Sequence, residues 1–270
     1  MSEVSKNIDR RKRQIANRFG NAASYYECYA SVQKEAAERL IASLEPWRGI
    51  LPSGPILEVG CGTGFVTEGL LELFPSREIR SVDISPEMIH FCEEKFSGID
   101  NLTFARRDAE ALTVSEQPQY AMTISGFAAQ WFKDPYLTLG RFLELTKPGG
   151  LLLASFPGHE CFPEWKEACV ELGLPFTRNP LPDTEEMVIK MSGGPVQVDF
   201  YEDRIKQEFD SSVDFFRHIK KLGAGTQEQG RHLSPAQMKM LIDHWDSRSD
   251  GPVQVSWHVV FLAVKRNYDS

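Results

Sequence analysis

This 270-residue chain predicts a doubly wound α/β sheet of seven mostly parallel strands, and three observations point there. Apolar runs of strand length alternate with segments of helical periodicity between residues 55 and 157, the pattern of consecutive βα units. One run, Ile56-Leu57-Glu58-Val59, enters Gly60-Cys61-Gly62-Thr63-Gly64, after which Phe65 to Leu71 takes up helical spacing. Another, Ile79-Arg80-Ser81-Val82-Asp83, closes on an acid about 20 residues further on, the distance at which nucleotide-binding sheets place a ribose ligand.

The elements follow in order. Residues 7–20 put Ile8, Ile15 and Phe19 near helical spacing, with Gly20 as a stop. A second helix is expected over Ser24–Leu44, with Val32, Ala36, Leu40 and Leu44 on one face, and 46–52 is a linker. After Asp83, Ser85-Pro86-Glu87 opens a helix, with Ser85 as N-cap and Pro86 at the first helical position. Leu102–Ala105 and Tyr120–Ser125 are the third and fourth strands. The second of these leads into Gly126-Phe127-Ala128-Ala129-Gln130-Trp131-Phe132 at the ligand-binding edge. A helix over 135–145 turns at Lys147-Pro148-Gly149-Gly150 into a fifth strand, Leu151–Phe156. Beyond it Pro157, Pro163, Pro175, Pro180 and Pro182 break the pattern around a helix near 164–172, and a further short helix covers 184–191. A sixth strand near 204–209, helices over 212–222 and 234–245, and a last strand over 253–264 complete the reading. About 40 residues separate the last two strands, too many for a turn, and are expected to form a helical lid.

The glycine turn chooses between ligands. A dinucleotide fingerprint is G-x-G-x-x-G, with pyrophosphate on the helix N-terminus. Here the third glycine comes one residue early and Glu58 sits inside the motif, so the turn suits a cationic ligand better than a diphosphate. Glu-x-Gly-x-Gly-x-Gly after a strand resembles the first motif of Rossmann-like class I methyltransferases, which bind S-adenosylmethionine (SAM). That resemblance implies a cofactor site of Glu58, Gly60, Cys61, Gly62 and Gly64 on the first turn. It adds Asp83, Ile84 and Met88 at the second strand, Asp108 and Ala109 after the third, and Ser125 on the fourth. Asp83 would accept from both ribose hydroxyls, Asp108 would face the adenine amino group, and Cys61 is a small filler rather than a nucleophile.

Composition removes several classes. A net charge of −8 argues against a general nucleic-acid binder. There is no apolar run long enough to cross a membrane, and no h-region follows the basic N-terminus, so no secretory leader is expected. Five cysteines, Cys28, Cys61, Cys92, Cys161 and Cys169, lack C-x-x-C spacing and clustered histidines, so no metal is expected and a reduced, cytoplasmic setting fits. Against the acidic average, residues 1–20 carry Lys6, Arg10, Arg11, Lys12, Arg13 and Arg18.

More specific stretches resemble the malonyl-acyl-carrier-protein O-methyltransferases of biotin synthesis over most of the chain. They are Phe19-Gly20-x-Ala22-Ala23-x-x-Tyr26-Glu27-x-x-Ala30-x-x-Gln33, Ala129-Gln130-Trp131, Leu222-Gly223-Ala224 with Leu233-Ser234, and His258 with Phe261-Leu262. The fit is loose over 157–200. The resemblance implies one methyltransferase domain, 1–270. Within it lie an N-terminal helical segment (1–46), a SAM-binding core (55–157) and acceptor-side lid segments (158–200 and 211–250). It also implies methylation of the free malonyl carboxylate on acyl carrier protein, or on coenzyme A as a surrogate, by a monomer. The product is S-adenosylhomocysteine and a methyl ester that primes pimeloyl synthesis for biotin.

A carboxylate with pKa near ~4 is ionised at neutral pH and needs no general base, which agrees with the absence of a His-Asp pair or a carboxylate pair. Tyr26, Gln130, Trp131 and His258 are the residues expected to aim it. A direct arginine partner would stabilise the charge that the reaction removes, so arginine is expected at a distance or shared. Arg10, Arg11, Lys12, Arg13, Lys220 and Lys221 are expected to meet the acidic carrier protein. Two alternatives stay open: a SAM-dependent O- or C-methyltransferase of another small acid or a quinone precursor, and a non-catalytic SAM-binding partner protein.

Overall fold

A computed structural model of the chain describes residues 3–113, 119–223 and 232–268. Seven strands form one sheet in the order β3-β2-β1-β4-β5-β7-β6. Here β1 is Ile56–Val59, β2 Ile79–Asp83, β3 Leu102–Arg106, β4 Tyr120–Gly126, β5 Thr146–Pro157, β6 Val196–Phe209 and β7 Val253–Arg266. Strands β1 to β5 run parallel, and β7 lies antiparallel between β5 and β6. All four residues of β1 are buried, because helices cover both faces of the sheet. Chain order reverses at β1, between β2 and β4, and ligands bind outside the carboxyl ends of the strands at such a reversal.

On one face, Leu40 from α3 (Ser31–Ala42) and Leu70 from α4 (Phe65–Leu73) join Ile56 and Ile124 in the core, all fully buried. On the other, Phe142 from α6 (Pro135–Leu145) packs with Leu57 and Leu152. Each such side chain contributes roughly 1.5–3 kcal/mol by leaving water. Between these two helices in sequence, α5 (Pro86–Lys95) starts at Ser85, whose side chain accepts from the Met88 N–H.

Three expectations need correction. The helix expected over Ser24–Leu44 is two, α2 (Tyr26–Tyr29) and α3. Ala30 between them leaves helical geometry at φ −93°, ψ 37° and is wholly buried. The sixth strand begins at Val196, not near Arg204. It is the sheet edge and its residues from 197 to 203 are mostly exposed and polar, so no apolar alternation announces it. The fifth strand likewise starts earlier, at Thr146.

The long first helix, α1 (Glu3–Ala22), lies over α5. After β5 come α7 (Pro163–Glu171) and α8 (Thr184–Met191), and between β6 and β7 come α9 (Ser212–Lys221) and α10 (Pro235–Ser247). A capping box at Ser234 and Gln237 starts α10. Ala224 of the lid motif lies outside the described residues.

Candidate active site

Two adjoining cavities open at the carboxyl ends of the strands. The first, about 140 Å³, is lined by the β1 turn, the ends of β2 and β4, residues 107–110 and the inner side of α1. The second, about 590 Å³, is walled by α2, α7, α9, α10 and the irregular stretch 177–181. Phe19, Tyr26, Gln33, Phe127 and Trp131 line both and so mark the junction.

The glycine turn is shaped by what a side chain would meet. Gly64 begins α4 at φ +90°, and a Cβ there would lie 2.4 Å from the Phe96 ring. Gly62, at φ +55°, would point a Cβ into open space, so only glycine leaves the main chain open to a ligand. Asp83 pins this turn: Oδ2 accepts from Gly62 N–H at 3.0 Å and Oδ1 from Ser85 N–H at 2.8 Å. Each carboxylate oxygen has a second lone pair, and Asp83 lines the cavity, so acceptor capacity for hydroxyls remains.

Gly60, Cys61, Gly62, Asp83, Ile84, Met88, Asp108 and Ala109 all line the first cavity. The Cys61 thiol is raised by its hydrogen bond with Cys92 and by burial, which keeps it protonated. Three expected cofactor residues stand outside the lining. Gly64 is spent on the helix cap. Ser125 is buried and donates to the Val59 carbonyl at 2.9 Å. Glu58 is 1% exposed, and its Oε2 accepts from Thr67 and Ser81 hydroxyls, each at 2.6 Å. Its Oε1 has no partner, and burial pushes the carboxyl up to about 7. Glu58 thus supports the turn from behind, as a latent negative charge beside the cavity.

These features fit a cofactor with hydroxyls, an aromatic ring and a cationic centre. Asp83 would hold the hydroxyls, Met88 and Ile84 would flank the ring, and the orphaned Glu58 oxygen would favour positive charge. Among the described residues no cluster of His, Cys, Asp or Glu has a metal-site arrangement.

The acceptor side departs further from expectation. Tyr26 and Trp131 stand at the junction, both near Phe19, whose ring centroid is 6.1 Å from Tyr26 and 5.2 Å from Trp131. Loss of solvent, then the charge of Asp83, hold the Tyr26 phenol well above the ordinary tyrosine range, so it is a donor and never a base. Gln130 Nε2 donates to the Phe127 carbonyl at 2.7 Å, while its buried Oε1 is unpartnered in the second cavity. Phe127 itself sits at φ +53°, and Phe162 across the cavity at φ +63°. Such residues cost of order 1–3 kcal/mol and cluster at ligand clamps.

His258 is the clear correction. It is 3% exposed on β7 and lines neither cavity. Its Nδ1 accepts from Glu160 N–H at 3.3 Å, so Nε2 carries the proton toward Glu202 Oε1 at 3.0 Å. That tie joins β6, β7 and the turn after β5.

Lys12 is corrected too. Its ammonium lies 2.7 Å from Asp108 and 2.8 Å from Glu110, across the cofactor cavity, so it is not free for a partner protein. Lys221 donates to Tyr29 Oη at 2.7 Å and lies 4.6 Å over that ring. Arg10, Arg13 and Lys220 are exposed and Arg11 half-buried.

Thr177, Arg178 and Trp165 also line the acceptor cavity and escaped the sequence reading. The first two lie where no helical or strand period exists, between Pro175 and Pro180. Trp165 reads as an ordinary core ring on α7.

Comparison with known proteins follows this geometry. A family described as "Methyltransferase domain" matches residues 56–150. The malonyl-[acyl-carrier protein] O-methyltransferase of Magnetococcus marinus is 31% identical over 264 residues, covering 96% of this chain and 94% of that protein. The chain belongs to the malonyl-[acyl-carrier protein] O-methyltransferase family. The relative of the same name from Priestia megaterium is 29% identical, covering 94% of this chain and 98% of its own.

Solved structures agree in fold. YcgJ from Bacillus subtilis superposes with a TM-score of 0.61 at 15% identity, covering 87% of this chain and 99% of its own. The [4+2]-cyclase SpnF gives 0.51 at 16%, covering 86% and 82%. A cyclase on this architecture is a reminder that the fold alone does not set the reaction. In this chain the segment between β6 and β7 supplies α9 and α10, whose residues line the second cavity.

Proposed function

We propose that this chain methylates the free carboxylate of malonyl-acyl carrier protein with SAM, giving the methyl ester that primes pimeloyl synthesis for biotin. The observation that carries the reading is the joined pair of cavities, one with a nucleoside-type wall and one large enough for a thioester arm, in a chain of this family. Bound SAM would supply an electrophilic methyl on a sulfonium.

The protein's part is placement. Tyr26, Phe127 and Trp131 stand at the junction and would hold the carboxylate oxygen in line with the methyl while excluding water. No side chain has to accept a proton, because the attacking oxygen is already ionised. Positive sulfonium and negative carboxylate neutralise each other as transfer proceeds, so a low-dielectric junction favours the transition state over the separated charges.

The carrier protein is expected to dock at Arg10, Arg11 and Arg13 on the first helix and at Lys220, which with Arg18 lines the second cavity. No helix among the described residues is long and apolar enough to cross a membrane, and all five cysteines are free thiols. Both support placing the reaction in the cytoplasm. A methyltransferase of a free small acid would have less use for so large a second cavity.

Intact-mass measurement of carriers loaded with malonyl, acetyl or succinyl groups tests the proposal. One added methyl on the malonyl form and none on the acetyl form is expected. Methyl gain on no loaded carrier, from protein that binds SAM, would move the function to a small free acid.

A further inference from the structure

The acceptor cavity is lined by a guanidinium, Arg178, that has no carboxylate partner among the described residues. Arg178 Nη2 donates to the His159 carbonyl at 3.1 Å, and its Cζ lies 5.3 Å over the Phe176 ring. Its Nε and Nη1 are buried and have no hydrogen-bond partner. Among the described residues no carboxylate offsets it, and burial lowers its proton affinity, with the Cys161 thiol acting the other way. Two more polar atoms lining the same cavity are buried and unpartnered: Thr177 Oγ1 and Gln130 Oε1.

A desolvated cation and an unpartnered threonine hydroxyl beside it are costly to leave unpaired. They are repaid by a ligand that brings negative charge and oxygen acceptors. Nε and Nη1 point their N–H bonds along different edges of the guanidinium, and either can donate a charge-assisted bond to a carboxylate oxygen.

We infer that Arg178 is the charge-selecting residue of the acceptor cavity, holding the malonyl carboxylate before transfer and losing its hold on the neutral ester afterwards. The inference rests on the function proposed above. In the transfer an oxygen–carbon bond forms, the carbon–sulfur bond breaks, and its electron pair stays on sulfur. No proton moves, and carboxylate and sulfonium charges cancel. One carboxylate oxygen stays on Arg178 while the other attacks.

The product ester then offers only neutral acceptors, which bind a guanidinium far less strongly than an anion does. Arg178 therefore admits malonyl over acetyl thioesters and helps the product to leave. Because it stabilises a charge that the transition state is losing, its effect falls on KM and not on kcat.

Steady-state kinetics of the full chain with malonyl-acyl carrier protein, wild type against Arg178→Gln and Arg178→Lys, test this. Product inhibition by the methyl ester of the same carrier is measured alongside. For Arg178→Gln, KM for the malonyl carrier should rise at least about ten-fold. Its kcat should hold or increase, and the inhibition constant of the ester should change less than about two-fold. Arg178→Lys, which keeps the charge and loses the planar guanidinium, should fall between. Unchanged KM, or malonyl and ester affinities weakening in parallel, would overturn the assignment. SAM affinity and melting temperature report on folding. If Arg178→Gln fails these, Arg178→Lys decides alone, and a wild-type KM in it overturns the assignment. A wild type that methylates no malonyl carrier would instead remove the function on which the inference rests.

Discussion

Lys12 on the first helix lies 2.7 Å from Asp108, which follows the third strand, and so ties a segment 96 residues away across the open edge of the cofactor cavity. Glu110, 2.8 Å from the same ammonium, makes the contact a three-membered network. The N-terminal helix is therefore a strap over the cofactor rather than an independent arm.

Breaking the strap should loosen cofactor binding. The ion pairs are partly exposed, with side chains 15–32% accessible, so each is worth no more than about 1 kcal/mol. Lys12→Met should raise the SAM dissociation constant by about three- to ten-fold, with a smaller difference from wild type at high salt. Amide exchange over residues 10–22 should quicken. Unaltered affinity and exchange would mean that α1 is held by its apolar side alone.

Glu58 should make the cofactor-free protein sensitive to pH. Burial raises its carboxyl from the ordinary 4.5 to about 7, against the opposing pull of Ser81 and Thr67. A raised carboxyl stabilises the fold fully below the unfolded value and loses that contribution as pH climbs through 7. Wild-type melting temperature should therefore drop between pH 5 and 8, while Glu58→Gln, neutral throughout, should lose less and exceed wild type at pH 8 by up to about 3 kcal/mol. SAM, as a cation, should favour the ionised form and shrink the difference. Parallel melting curves for both proteins would refute this.

Tyr26 should act as a positioning donor and not as a base. Tyr26→Phe is expected to lower kcat/KM for the malonyl carrier by about ten-fold, the loss of one or two hydrogen bonds. The pH–rate profile should stay flat from pH 7 to 9 in both proteins, because the phenol remains protonated throughout. A rate that climbs with pH in wild type and not in Tyr26→Phe would restore a base to the mechanism.

Reversal of Arg10, Arg11 and Arg13 to Glu should raise KM for the carrier-bound substrate much more than for malonyl-coenzyme A, since charge steers the protein partner. An equal effect on both would remove the docking role.

The parts of the fold that the sequence announced are those where one residue type is forced by geometry. Gly62 and Gly64 need positive φ, Ser85 caps α5, and β1 and the Leu151–Pro157 part of β5 are buried throughout and therefore mostly apolar. The edge strand β6 stayed partly hidden because its first half faces solvent and carries Gln197, Asp199, Glu202 and Asp203. The break at Ala30 left no glycine or proline to mark it.

In the site, motif position proved a weaker guide than contact. Glu58 and His258 lie on the motifs, yet neither lines a cavity and both are bound to neighbouring side chains. Arg178 carries no local pattern and reaches the cavity only through the tertiary path of residues 173–183. Lys12 could not be told from its basic neighbours, because its distinguishing partners are remote in sequence.

The account stands most directly on which atom receives the methyl group. Carbon NMR of malonyl-acyl carrier protein after reaction with SAM labelled with ¹³C on its methyl decides this. The account predicts a single labelled resonance in the methyl-ester range, removed by mild esterase treatment with return of the starting carrier. A resonance in the range of a methyl on carbon, resistant to esterase, would contradict carboxyl transfer and the junction geometry built on it.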